Sequence, residues 1–226
     1  MYLEQNIRGL CDKFGLNFDS FLEELDVDHV NELSIYDLEA IAEEYVIDLN
    51  ALLFKNSFKS NHLKSRLENI KLLVLDVDGV MTDGGMYFTE SGDQFKKFNT
   101  KDGMAILHLT KSDFQVAIIS SGFRGESVHR RAEMLGIQHC TVSRDSKMDT
   151  LNKLCSTLGI GLENVAMIGD DVNDLAVMEK IGLAACPRDA MNSVKQVCDI
   201  ILTLKGGQGC VREFIDQYIF DEPLNE

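Results

Sequence analysis

The stretch Leu72-Leu-Val-Leu-Asp76-Val-Asp78-Gly79 sets an apolar run directly against two carboxylates and a glycine. An unbroken apolar run of this kind marks a strand buried on both faces of a parallel sheet. In open α/β sheets, ligands bind just beyond the carboxyl ends of the strands. Asp76 and Asp78 therefore fall where chemistry is expected, and strand alternation turns both side chains to one side. Two carboxylates this close repel each other unless a shared proton or a cation relieves them. A hard cation such as Mg²⁺ is the usual solution. Taken alone, Asp-x-Asp-Gly is also an ordinary turn, so the rest of the chain has to be read with it.

From Ile70 onward, strand-like and helix-like runs alternate. Strands are expected at Leu72–Leu75, Val116–Ser120, Gln138–Val142, Val165–Ile168, Leu183–Cys186 and Ile200–Leu202. Helices are expected at about 102–111, 126–135, 146–158, 172–180, 190–196 and 209–219. This alternation predicts an α/β fold, a doubly wound parallel sheet with helices on both faces. Met86–Thr89 and Gln94–Phe98, joined by Glu90-Ser-Gly-Asp93, interrupt it as a β-hairpin. The hairpin follows the acidic strand end directly and could fold over it as a flap.

The 226 residues suit one large domain, or one domain with a small companion. The polar stretch Lys55–Lys64 reads as a linker, dividing an all-helical segment (1–60) from the α/β domain (61–226). In the helical segment, Asn17 or Asp19 would cap a helix through Leu25, and Ser34 one from Ile35 to about Tyr45. Residues 33–53 resemble the last part of repressor-type helix-turn-helix domains. However, residues 1–60 hold 13 acids against 4 bases, a net of −9. The stretch where a recognition helix would lie, Asp26–Glu32, is itself acidic. A DNA reader needs basic residues there. The segment is therefore read as a degenerate helix-turn-helix, either a protein-contact or dimerisation module or a plain helical extension.

The whole chain carries a net charge of −15, which argues against nucleic-acid binding and against an anionic membrane surface. No apolar run approaches a membrane span, and the first residues lack the pattern of a secretory signal. Six scattered cysteines without a Cys-x-x-Cys pair indicate neither a zinc site nor a redox motif. Reduced thiols in a cytoplasmic protein are the simple account. An anionic substrate would need a local cation or a metal for its capture.

Three further constellations join Asp76 and Asp78. Val165-Ala-Met-Ile-Gly169-Asp170-Asp171-Val-Asn-Asp174 repeats the design of apolar strand, glycine and carboxylates. One acid there could cap the next helix, but two adjacent acids and Asp174 exceed that need. Two acidic strand ends in one crevice make a plausible Mg²⁺ site. Val116-Ala-Ile-Ile-Ser120-Ser121-Gly122 ends a strand in hydroxyls that can hold a phosphate. Lys147 opens a helix, where a cation is locally unfavourable. That position hints at a partner, either the acids or a phosphate.

These four pieces, in this order, resemble the haloacid dehalogenase superfamily of phosphotransferases over about residues 70–220. More narrowly the chain is similar to the cap-less branch of 3-deoxy-D-manno-octulosonate 8-phosphate phosphatases and their nonulosonate (sialic-acid-type) 9-phosphate relatives. The markers are Asp76-Val-Asp-Gly-Val-Met-Thr-Asp-Gly84, Phe98-Asn-Thr-Lys-Asp-Gly103, Arg131-Ala-Glu-Met-Leu-Gly-Ile137, Gly169–Asp174, Asp189-Ala190 and Gly206–Glu213.

The resemblance implies a Mg²⁺-dependent phosphomonoesterase acting on a small phosphorylated sugar acid, in surface-polysaccharide biosynthesis. Asp76 would be the nucleophile and Asp78 the general acid and base. Asp76, the Asp78 carbonyl and Asp170, supported by Asp171, would hold the metal. Ser121, or Ser120 by the spacing back to Asp102, would bind the phosphoryl group with Lys147. Lys101, Arg131 and Arg212 are candidates for substrate contacts. The resemblance further implies a homotetramer in which the hairpin, residues 84–98, helps assembly and a neighbouring subunit covers the site.

Two features depart from the family pattern. Phe123 stands where the family carries an arginine, which removes a cation that could face a sugar-acid carboxylate. The helical segment 1–60 is an addition. With it comes the rival expectation of a non-catalytic, regulatory phosphatase-like protein acting through that segment.

Overall fold

In a computed structural model of the chain, the described residues are 2–14, 16–54, 61–112, 114–122 and 124–220, without the side chains of residues 12, 13, 61 and 62. Phe123 and the first part of the expected linker, residues 55–60, lie outside them. The chain divides into two compact units between Ser65 and Arg66.

The first unit is helical: α1 (Leu3–Phe14), α2 (Phe18–Glu24), α3 (Ile35–Glu44) and α4 (Leu49–Phe54). Asn17 caps α2 through its side chain, and Ser34 forms a capping box with Asp37 at α3. Leu3, Ile7, Leu10, Phe21, Leu38, Ile41 and Leu52 build its small core. Asn6, fully buried, ties α1 to α4 by donating to the carbonyls of Ala51 and Leu52. The acidic stretch 26–32 forms only a single 3₁₀ turn, Val30–Glu32.

Helix α5 (Asn61–Glu68) carries the division and takes up the last four residues of the expected linker. Arg66 anchors its second half, donating to the Gly182 carbonyl and pairing with Asp199.

The second unit follows as β1 (Leu72–Leu75), β2 (Tyr87–Phe88), β3 (Gln94–Phe95), α6 (Thr100–Lys111), β4 (Gln115–Ser120), α7 (Glu126–Met134), β5 (His139–Val142) and α8 (Lys147–Leu158). It continues as β6 (Val165–Ile168), α9 (Leu175–Met178), β7 (Leu183–Cys186), α10 (Asn192–Val197), β8 (Ile200–Ile201) and α11 (Cys210–Phe214). Six strands form one parallel sheet in the order β5-β4-β1-β6-β7-β8, with β2 and β3 paired antiparallel as the hairpin. The doubly wound α/β expectation is met. The second acidic strand end gives less helix than its pattern promised: α9 starts only at Leu175, because Asp170–Asp174 turn sharply on themselves.

Chain order reverses direction at β1, which lies between β4 and β6. Such a switch point opens a crevice above the carboxyl ends of the strands. All four residues of β1 are fully buried. Leu72 and Val74 pack into one face with Met167, Leu151, Val177 and Val194. With no polar face to turn outward, this strand can offer its first carboxylate only at its end.

Candidate active site

Asp76 directly follows β1, its N–H bonded to the Ile168 carbonyl at 3.1 Å. The chain then coils through Val77–Met81 and reverses at Gly79, whose φ is +86°. A Cβ on Gly79 would lie 1.9 Å from Asp170 Oδ2. The glycine is therefore required twice, for its left-handed backbone and for the close approach of the second acidic loop. The same loop is clamped from behind by the tail of the chain. A Cβ on Gly206 would fall 1.9 Å from the Gly79 carbonyl oxygen. The Gly207 N–H donates to the Val80 carbonyl at 2.9 Å, and Asn99 Nδ2 to the Gly207 carbonyl at 3.0 Å.

A cavity of about 250 Å³ opens at the switch point, lined by Asp76, Asp78, Gly84, Ser120, Ser121, Asp170, Asp171 and Asn173. The ends of β1, β4 and β6 thus deliver both acidic clusters and the hydroxyls to one place. Ser120 is buried and Ser121 exposed, and both reach the wall.

Lys147, the residue with an unexplained position at a helix start, finds its partners in the acids. Its ammonium lies 3.0 Å from Asp76 Oδ1 and 2.6 Å from Asp174 Oδ1, with all three groups buried. Burial opposes the charge on Lys147, but Asp76 and Asp174 outweigh it and raise its pKa. Asp174 is the residue whose importance the sequence reading did not specify. Its Oδ2 accepts from the N–H groups of Asp170 at 3.0 Å and Asp171 at 3.4 Å, so it shapes the second acidic turn while holding Lys147. Its spacing of four residues from Asp170 was visible, but nothing in the sequence joined it to Lys147. Lys96, just past β3, was also missed: its ammonium contacts Asp78 Oδ1.

The cluster is short of positive charge. Burial, and then Asp174, push the Asp76 pKa up despite Lys147. Asp170 is raised to about 8, first by burial and then by the carboxylates of Asp76, Asp174 and Asp171. Asp170 Oδ1 is buried with no hydrogen-bond partner. Oxygens of Asp76, Asp170 and Asp174 lie within 4.8 Å of one another. An all-oxygen donor set with an orphaned buried carboxylate oxygen fits a hard divalent cation. Asp171 lines the cavity, but its Oδ1 accepts from the Val172 N–H at 2.7 Å. Asp78 and Asp171 stand outside the tightest group of acids.

Lys101, Arg131 and Arg212 do not line the cavity. Lys101 is exposed on the first turn of α6. Arg131 is turned to the hairpin exit, donating to the Asn99 carbonyl at 3.3 Å with its guanidinium 5.7 Å from the Phe98 ring. Arg212 pairs with Asp216 on its own turn.

The fold is shared with known proteins. The profile of the haloacid dehalogenase-like hydrolases matches residues 40–215. The chain belongs to this family. Among curated relatives, the 3-deoxy-D-manno-octulosonate 8-phosphate phosphatase of Salmonella typhi is 40% identical over 157 residues, 70% of this chain and 83% of that protein. The enzyme of the same name from Escherichia coli K12 is 41% identical over 152 residues, 67% and 80% of the two chains. A solved structure of the phosphatase from Moraxella catarrhalis, in complex with magnesium, phosphate and KDO, superposes with a TM-score of 0.68 at 32% identity. It covers 73% of this chain and 94% of that one. The Yersinia pestis phosphatase gives 0.67 at 39% identity, covering 71% and 86%. This haloacid dehalogenase-like hydrolase is a phosphomonoesterase, which answers the rival expectation of a non-catalytic protein, and its Asp76, Asp170 and Asp174 form a carboxylate cluster of the kind that can hold a metal ion.

Proposed function

We propose that the chain hydrolyses the phosphomonoester of a small sugar acid, of the 3-deoxy-octulosonate 8-phosphate or nonulosonate 9-phosphate type, through an aspartyl-phosphate on Asp76. The observation that carries this reading is the setting of Asp76. It is a buried carboxylate at the switch point, fixed by Lys147 at 3.0 Å and opening on a cavity with Asp78 and the two serines. The octulosonate phosphatases among the relatives favour the eight-carbon acid.

Asp76 attacks phosphorus in line, and the ester oxygen departs on the opposite side. Asp78 gives that oxygen its proton, then takes one from the water that hydrolyses the acyl phosphate. Ser121 and the adjoining amides hold the equatorial oxygens, with Ser120 as the alternative donor. Lys147 neutralises and orients the nucleophile, while Asp174 holds Lys147 in place. Asp76, Asp170 and the Asp78 carbonyl, with Asp171 in support, would hold Mg²⁺, which supplies charge neutralisation at the transferring phosphoryl group. The cavity wall carries four carboxylates, so a phosphate dianion needs that cation to enter. Lys101, Arg131 and Arg212 have no substrate contact in this reading.

The hairpin exposes Met86, Phe88 and Phe95, with Tyr87 stacked on Phe95 at 5.4 Å. This apolar surface supports assembly as a homotetramer. Exposed Ile35, Tyr36, Val46 and Phe54 support a protein-contact role for residues 1–60. No helix among the described residues is long and apolar enough to cross a membrane, and the reading places the enzyme in the cytoplasm.

Phosphate release with Mg²⁺ from octulosonate 8-phosphate, nonulosonate 9-phosphates and neutral hexose phosphates tests the reading. Preference for one acidic sugar, with kcat/KM down by about 10⁴-fold or more in Asp76→Asn, is expected. Turnover of neutral sugars alone would overturn the sugar-acid assignment. Undiminished turnover by Asp76→Asn would overturn the nucleophile.

A further inference from the structure

The hairpin brings more than a cover to the cavity. Lys96 follows β3 directly, and its ammonium contacts Asp78 Oδ1. Thr82 Oγ1 stands 3.4 Å from the same oxygen. Oδ2 makes no hydrogen bond among the described residues. The two side chains differ in exposure, 7% for Lys96 and 44% for Asp78. The lysine is therefore a fixed, sheltered cation, and the acid it touches faces the cavity. An exposed pair would contribute little, because both long side chains would move freely in water. Here the hairpin removes that freedom. Its strands pair Tyr87 with Phe95 and Phe88 with Gln94. Arg124 ties its turn to the loop after β4 by donating to the Gly92 carbonyl at 3.0 Å.

We propose that Lys96 is a positioning residue for the general acid: by holding Asp78 Oδ1 it leaves Oδ2 as the atom presented to the departing ester oxygen. This inference rests on the assignment of Asp78 in the preceding reading. A carboxyl free to rotate spends part of its time with the wrong oxygen, or neither, in line with the leaving group. Misplacement of about 1 Å at a reacting group costs on the order of a hundredfold. The hairpin thereby becomes part of the catalytic apparatus, although it contributes no residue to the reacting atoms.

The test uses two esters that differ in their need for a proton. An alkyl sugar phosphate, 3-deoxy-octulosonate 8-phosphate, leaves as a strongly basic alkoxide. p-Nitrophenyl phosphate leaves as a stable phenolate and needs none. kcat/KM is the quantity to compare, since it reports only steps up to the first irreversible one and ignores hydrolysis of the acyl phosphate, common to both. For Lys96→Met we expect a loss of about 10- to 100-fold on the sugar phosphate and less than about threefold on the aryl ester. Lys96→Arg, which keeps the cation, should recover most of the loss. Asp78→Asn should show the same pattern more strongly, and adding Lys96→Met to it should cost nothing further. The aryl ester doubles as a check that each variant folds and loads Mg²⁺.

Equal losses on both esters, or none on either, with Asp78→Asn still selective, would overturn the role of Lys96 and leave Asp78 as the acid. Equal losses in Asp78→Asn itself would overturn the acid assignment, and the Lys96 role with it.

Discussion

The two acidic strand ends share one design in sequence and differ in how their charge is answered. After β1, each carboxylate has an ammonium: Lys147 for Asp76 and Lys96 for Asp78. After β6, Asp170 faces three other carboxylates and keeps an oxygen with no partner. Asp174, in the same turn, draws on Lys147 and on two backbone N–H groups. Proteins rarely leave a buried charge unanswered. Each acid of the first loop thus has an ammonium beside it, Lys147 being shared with Asp174, while Asp170 keeps an oxygen with no protein partner. In the proposed reading Asp76 belongs to both sets, as nucleophile and as a ligand of the metal, while Asp170 belongs only to the metal.

The strongest way to break the comparison is to remove the shared lysine. Lys147→Met leaves Asp76 and Asp174 buried without their ammonium, and unfolding in urea with EDTA should show a loss of about 3–5 kcal/mol. A loss below about 1 kcal/mol would mean that the two acids depend on something other than Lys147.

Asp170→Asn should act in the opposite sense on the metal-free protein. The raised pKa of Asp170, about 8, means that its ionised form is disfavoured in the fold at neutral pH. In EDTA the variant should be at least as stable as the parent. With Mg²⁺ at about 100 times its Kd the parent should gain about 2.7 kcal/mol, and the variant should lose most of that gain. A full Mg²⁺ response in Asp170→Asn would place the metal elsewhere.

Asp102 sharpens the contrast with a third arrangement, a buried acid whose Oδ1 is answered by backbone while its Oδ2 has no hydrogen-bond partner. It accepts the Arg212 N–H at 2.8 Å at the start of α11 and is raised to about 6, first of all by burial and in spite of N–H groups from Arg212, Gly209 and Val211. Between about pH 4 and 6 the folded chain therefore binds more proton at Asp102 than the unfolded one, and stability falls as pH rises. The stability of Asp102→Asn relative to the parent should improve by about 2 kcal/mol from pH 4 to pH 7. Comparing the two proteins at each pH cancels the other acids. A trend of the opposite sign would show that the α11 amides favour the charged form.

How much of this was legible follows from range. Apolar runs marked β1, β4, β6 and β7, because a strand buried on both faces has no other way to be written; β5 and β8, at the sheet's edges, are less buried. The start of β5 shifted by one residue, to His139. Glu90-Ser-Gly-Asp93 announced the hairpin through local turn chemistry, and Ser34 announced α3 through its cap. Asp76, Asp78, Asp170 and Asp171 were legible as acids at strand ends, and all four line the cavity. The pairings of Lys96 with Asp78 and of Lys147 with Asp174 were not. They join residues 18 and 27 positions apart, and nothing local separates Lys96 from its neighbour Lys97, whose side chain is 71% exposed. Arg131, a cation expected from the sequence to contact substrate, is found beside Phe98 and the Asn99 carbonyl rather than in the cavity wall.

The contact of Gly206 with the Gly79 carbonyl has a consequence for synthesis. Every acid of the site lies at or before residue 174 in the chain, yet the loop that carries Asp76 and Asp78 is backed by residues 206–210. A nascent or truncated chain ending before Gly206 carries the full set of reactive groups without the wedge that shapes them. The backing of the site is therefore made after every group that it positions.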